Sequence, residues 1–337
     1  MATNVEKMER DVRSDALPLV ELWHKAAANR AAVSKLAVYP GLVLIFLVFA
    51  LTLEDRGFLT SVNLLNIASQ AAPIAIMAVG AVFVLSAGEI DLSIGSVVAL
   101  SALAAASILQ DYGLVLGVAA GLGVGLGVGL INGLLVTRLR VPSFLVTLAM
   151  MQIALGLSRM VHDLQSVAVT DQTFLRWFGG GQIGDLSGMV VWALAIGVIG
   201  FVFYGYTRFG AHVRAIGDSR RAAATGGINV NRVRVATFVI SGMTAALAGV
   251  LTAGQLQAAQ YTLGANDLFA VIAAVIIGGT SLFGGRGSIV GALMGALLLA
   301  ILNNGLILYG LSAAEQSVAL GLIILVAVVI GLREQKD

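Results

Sequence analysis

From about residue 36 almost to the C-terminus, apolar runs long enough to cross a bilayer recur, separated by short polar connections. A hydrocarbon core roughly 30 Å thick asks for about 20 apolar residues per helix. Lipid offers no partner to backbone N–H and C=O groups, so only helices or closed barrels can span it. The runs here are continuous rather than alternating, which favours helices over a barrel. The expected fold is therefore all-α: a polytopic membrane bundle of about ten transmembrane helices. Hydrophobic residues make up 58% of the chain and charged residues 11%, where soluble globular chains carry roughly a quarter charged. Most of the 41 glycines lie inside the apolar runs, where small residues let helix backbones approach closely.

The expected spans are 36–53, 70–87, 94–110, 113–137, 143–160, 188–206, 235–256, 268–283, 288–309 and 316–332, those at 70–87 and 268–283 being short enough for re-entrant or broken helices. The domain division is a cytoplasmic tail at 1–35, a permease domain at 36–332 and a cytoplasmic C-terminus at 333–337. Residues 20–37 suit an amphipathic surface helix or a plain tail, and no cleaved signal peptide is expected. Starting inside, this arrangement puts seventeen of the twenty basic residues on the cytoplasmic side, leaving Arg56, Arg159 and Arg176 outside. That agrees with the positive-inside rule. The outer piece at 161–187 can be a connecting hairpin or a surface that receives a partner.

The longest polar interruption, Thr207 to Arg234, holds six arginines (Arg208, Arg214, Arg220, Arg221, Arg232 and Arg234) against one acid, Asp218. Asp218 to Thr225 reads as one short helix, capped by Asp218 or Ser219 and stopped at Gly226-Gly227. Such a helix presents itself to a soluble partner, although arginines that only set topology and meet anionic lipid explain the charge equally well.

Within the apolar region, Gly88 to Gly95 places Glu89 and Asp91 between two spans. Intramembrane carboxylates are costly and face a cavity or a mouth; alternatively the segment is a solvated turn with Asp91 as a helix cap. Ser93, Asn132, Gln152, Gln255, Asn303 and Asn304 complete the candidate lining of a path or gate, and neutral amides suit a hydroxylated solute. Hydrogen bonding between helices explains any one of them as well. The glycine-rich stretch Gly278 to Ser288 lacks the Gly-Lys-Ser/Thr ending of a phosphate loop, so the chain is expected to bind no ATP of its own. Cysteine is absent, and the three histidines show no metal-ligand spacing, so no catalytic or metal site is expected.

Four runs, GEIDLSIGSVVALSA, NGLLVTRLRVPSFLVTLAMM, RFGAHVRAIGDSRRAAATGGINV and IIGGTSLFGGRGSIVGALMGALLLAIL, occur in that order. Together they resemble the permease family of ribose-type sugar ABC importers along nearly the whole membrane part. The resemblance implies a transport subunit with ATP and Mg held by two cytoplasmic ATP-binding partners, a periplasmic sugar-binding protein, a second permease copy and no nucleic-acid partner. It implies that the long basic loop docks the ATPase through Arg208, Gly210, Ala215, Gly217, Ala222, Ala223, Gly226 and Ile228, to which Arg214 and Asp218 are added from the same loop. Family members often have glycine where this chain has Glu89, which leaves the local contact there open. The rival expectations are a permease for branched-chain amino acids or nucleosides and a stand-alone ion-coupled transporter.

Overall fold

The computed structural model describes residues 40–179, 181–183 and 186–333. The tail at 1–35, the amphipathic stretch at 20–37 and the last four residues lie outside the described residues. The helices are α1 (Pro40–Thr52), α2 (Ser61–Ser86), α3 (Ile94–Tyr112), α4 (Leu114–Arg138), α5 (Ser143–Met160), α6 (Gln172–Phe178) and α7 (Gly188–Tyr206). They continue as α8 (Arg208–Asp218), α9 (Arg220–Thr225), α10 (Val230–Leu256), α11 (Asp267–Ile277), α12 (Ile289–Tyr309) and α13 (Ala313–Arg333). Seven of them, α2, α3, α4, α5, α7, α10 and α12, are long and apolar enough to cross a membrane. Helices α5 and α7 begin and end where their apolar runs do. Helix α10 is central and packs on α2, α3 and α4, while α12 packs on α2 and α11.

Two of the expected spans are corrected. The span expected at 70–87 begins nine residues earlier, at Ser61, capped by the Thr60 hydroxyl, which accepts from the Asn63 N–H. Asn63, Asn66, Ser69 and Gln70 lower the hydropathy of these turns and conceal them in the sequence. Asn63 is satisfied across the bundle, because its amide and that of Asn304 on α12 exchange hydrogen bonds at 3.0 and 2.9 Å. The span expected at 268–283, short enough for a re-entrant or broken helix, holds an 11-residue helix, α11, about 16 Å long at 1.5 Å per residue. Gly278 and Gly279 (φ +84°) end it. The remaining distance is covered by non-helical chain at 260–266, where Gly264 (φ +73°) lies so close to Gly95 that a Cβ on Gly95 would sit 2.5 Å from the Gly264 oxygen. Non-helical backbone survives at membrane depth only against protein or a watered cavity, and here it is packed against the start of α3.

Gly121, Gly125, Gly129 and Gly133 recur every fourth residue and so share one face of α4. A Cβ at Gly125 would overlap the Gly242 carbonyl of α10, and one at Gly129 would overlap the Phe238 carbonyl, whereas Gly123 and Gly127 have nothing within 4 Å. Away from this seam, Leu116 and Leu130 of α4, Leu145 and Leu148 of α5, and Leu194 and Val198 of α7 are exposed. Gly125→Leu is expected to cost about 3 kcal/mol, the upper part of the overpacking range, and to lower the melting temperature in detergent. Gly123→Leu is expected to leave it unchanged, and equal melting of both variants would refute the seam.

The piece at 161–187 is more than a hairpin. Val167–Ala168 pairs antiparallel with Ala258–Ala259, and Asp171 caps α6 by accepting from the Phe174 N–H. Phe174, Phe178 and Trp192 form a run of stacked rings.

Candidate docking and coupling site

Between α7 and α10 the chain forms two helices where the sequence suggests one. Thr207 caps α8, accepting from the Gly210 N–H at 3.3 Å. Its buried residues Gly210, Val213 and Ile216 recur every third position and face the bundle. Asp218 ends α8, and Ser219 is the cap of α9, its hydroxyl accepting from the Ala222 N–H. Gly226 closes α9 and Gly227 (φ +83°) turns the chain towards α10.

The α8–α9 pair rests on the turns that follow α2 and α11. The guanidinium of Arg214 donates to the Tyr204 carbonyl at 2.6 Å and lies 5.0 Å from the Tyr204 ring centroid. The Tyr204 hydroxyl donates to the Ser86 hydroxyl at 2.9 Å. The Gly285 N–H donates to the Ser86 carbonyl, also at 2.9 Å, and a Cβ on Gly217 would fall on both partners of that bond. Gly210 is equally confined, by the Tyr204 carbonyl. Three chain segments meet here backbone to backbone.

Beside this junction, residues 89–93 are non-helical, with Glu89, Asp91 and Ser93 buried and Ile90 and Leu92 partly so. The Glu89 side chain is 2% exposed and receives two guanidinium groups, Arg220 of α9 at 2.7 Å and Arg234 of α10 at 2.6 Å. Arg220 also donates to the Gly88 carbonyl. Ser143 and Thr147 of α5 satisfy the Ile90 N–H and carbonyl. Asp91 accepts from the Ser93 N–H at 2.9 Å, the Ser93 hydroxyl at 2.6 Å and the Ser241 hydroxyl of α10 at 2.8 Å. Asn132 of α4 donates to the Ser93 hydroxyl. Buried polar groups persist only when bonded in this way. Both carboxylates are held by donors, an arrangement suited to fixing backbone rather than to moving protons.

Residues 63–329 match the permease family described as branched-chain amino acid transport system / permease component. The chain belongs to this family. It is 40% identical to the ribose import permease protein RbsC of Bacillus subtilis (strain 168) over 293 residues, 86% of this chain and 91% of that protein. Against the L-arabinose ABC transporter permease protein AraH of Azospirillum brasilense the identity is 33% over 309 residues, covering 90% of each. Against the fructose import permease protein FrcC of Rhizobium meliloti it is 34% over 326 residues, 94% of this chain and 89% of that protein. No solved structure matches the chain.

The permease sorts its sequence-derived docking candidates into three groups. Arg208, Asp218, Ala222 and Gly226 are exposed; Gly210 and Ala223 are buried; and Arg214, Ala215, Gly217 and Ile228 lie between. Ala222 is therefore presented outward, while Ala223 packs into the core. Among the path candidates, Asp91, Ser93 and Asn132 come together in one polar network with Ser241, and Glu89 pairs separately with Arg220 and Arg234. Asn304 is spent on Asn63, Gln152 and Gln255 are exposed, and Asn303 is partly buried. Sequence reasoning missed Arg220, Arg234 and Ser241 as partners of the two carboxylates, and Asn63 as the partner of Asn304. The pairs are 131, 145, 150 and 241 positions apart, so no local pattern carries them.

Proposed function

We propose that this permease is the membrane-spanning subunit of an ABC importer for a monosaccharide, a pentose or hexose. The observation that carries the reading is relatedness along almost the whole chain to ribose, arabinose and fructose permeases. ATP and Mg act in two cytoplasmic ATP-binding partners, a periplasmic binding protein delivers the sugar, and a second permease copy completes the path. The basic end of the bundle, which holds α8 and α9, faces the cytoplasm, following the distribution of lysine and arginine. Gln152, Gln255 and Asn303 exchange hydrogen bonds with sugar hydroxyls along the path, while Glu89, Asp91, Ser93, Asn132 and Asn304 hold its wall and gate. ATP-driven closure of the partners then biases the bundle between outward-open and inward-open arrangements.

The outward face of α9 is the docking surface. Ala222→Glu together with Ala224→Glu places two carboxylates on exposed positions, away from the core contact of Ala223. At least a tenfold loss of ATP-binding subunit recovered with the purified permease is expected, with the permease itself still monodisperse in detergent. Full recovery of the subunit together with undiminished uptake refutes docking through α9.

A further inference from the structure

Glu89 ties the turn after α2 to α9 and α10. Its buried carboxylate stands at the foot of the non-helical segment 89–93 and takes one arginine from α9 and one from α10. The Arg220 side chain is about half exposed, that of Arg234 only 12%. A shift of α9 has two outcomes at this point. Either Arg220 carries Glu89 with it, or a charge-assisted bond breaks and the buried carboxylate keeps a single partner. Arg220 grips the turn at two points, the Glu89 carboxylate through a charge-assisted bond and the Gly88 carbonyl, so the first outcome is favoured. Two residues further on, Asp91 is tied to α10 through Ser241, and Ser93 is tied to α4 through Asn132. Movement received at Glu89 is therefore delivered where α3 begins, beside the contact between Gly95 and the 260–266 segment.

We propose that Glu89 is the coupling residue of this permease: the Arg220–Glu89–Arg234 bridge transmits displacement of α9 into the non-helical segment that opens α3. The proposal rests on α9 being the helix that docks the ATP-binding subunit. Its role is positioning, since both arginines converge on one oxygen of the Glu89 carboxylate and tie it to α9 and α10.

The test reconstitutes the permease with its ATP-binding and binding-protein partners in proteoliposomes. The probe is whichever of ribose, arabinose and fructose the unaltered system imports fastest. The readout is sugar imported per ATP hydrolysed, which is independent of how much ATP-binding subunit is retained and which a purely structural defect leaves unchanged. Glu89→Gln and Arg220→Gln are each expected to lower this ratio about tenfold, and the double variant to fall no further, as for two ends of one contact. Arg220→Gln alters a half-exposed side chain and decides the matter alone if Glu89→Gln does not fold. An Arg220→Gln ratio within twofold of the unaltered protein overturns the proposal. So do losses that multiply in the double variant, or release of the ATP-binding subunit by Arg220→Gln. Retention of that subunit by the Ala222/Ala224 double variant instead overturns the docking reading, whatever the ratio shows at Glu89.

Discussion

Replacing Gly217 with alanine is expected to lower sugar uptake by roughly a hundredfold. The added methyl has nowhere to go. It would fall on the Ser86 carbonyl oxygen and the Gly285 nitrogen, the two partners of the hydrogen bond that holds the turn after α11 to the end of α2. Neither atom belongs to a flexible side chain, so α8 would have to lift from the bundle or the bond would have to break. Overpacking of this kind costs up to about 3 kcal/mol and occasionally more, and each 1.4 kcal/mol is about tenfold in an equilibrium. Gly205→Ala is the control, since a Cβ there meets nothing within 4 Å and the residue is no docking candidate. Uptake measured in cells matched for membrane protein level separates the two. Equal uptake by both variants would show that the three-segment junction is not under steric constraint.

The second large effect is expected at Asp91. Its side chain accepts from three donors while almost fully buried. Alanine would leave the Ser93 N–H, the Ser93 hydroxyl and the Ser241 hydroxyl without their acceptor at once. An unsatisfied buried polar group costs about 1–3 kcal/mol, so the loss for Asp91→Ala is expected to reach about 3 kcal/mol or more. The variant should yield little monodisperse protein and no uptake. Asp91→Asn keeps one oxygen for the Ser93 pair and turns an amide towards Ser241, whose hydroxyl can accept, so it should fold and retain partial uptake. Ser241→Ala removes a single donor and should cost about 1 kcal/mol. Thermal denaturation followed by tryptophan fluorescence ranks the three. An Asp91→Ala protein that melts with the unaltered one would remove Asp91 from the structural frame.

The membrane segments were legible because bilayer thickness acts on each of them separately. Helices α5 and α7 stand where their apolar runs do, since nothing outside those runs is needed to satisfy their backbones. The start of α2 was hidden because Asn63 and its polar neighbours look like loop until Asn304 is brought opposite. The shortness of 268–283 pointed to a re-entrant or broken helix, but hydropathy does not report that Gly264 must pass Gly95. In the candidate site, the basic character of residues 207–234 was plain, yet a single helix from Asp218 became two helices with Ser219 as the cap of the second. Glu89 and Asp91 were legible as anomalous charges in an apolar setting, but their partners were not.

The amino-acid sequence by itself determined the all-helical architecture, the apolar segments and the family, because hydrophobic length and residue order are properties of the chain alone. Tertiary structure alone decided that the chain before α11 passes Gly95, that Gly217 and Gly210 have no room for a side chain, and that Arg220 and Arg234 converge on Glu89. These are outcomes of close approach between segments far apart in sequence. Steric contact and charge pairing act over a few ångströms of space, so they come into being only when the bundle has packed.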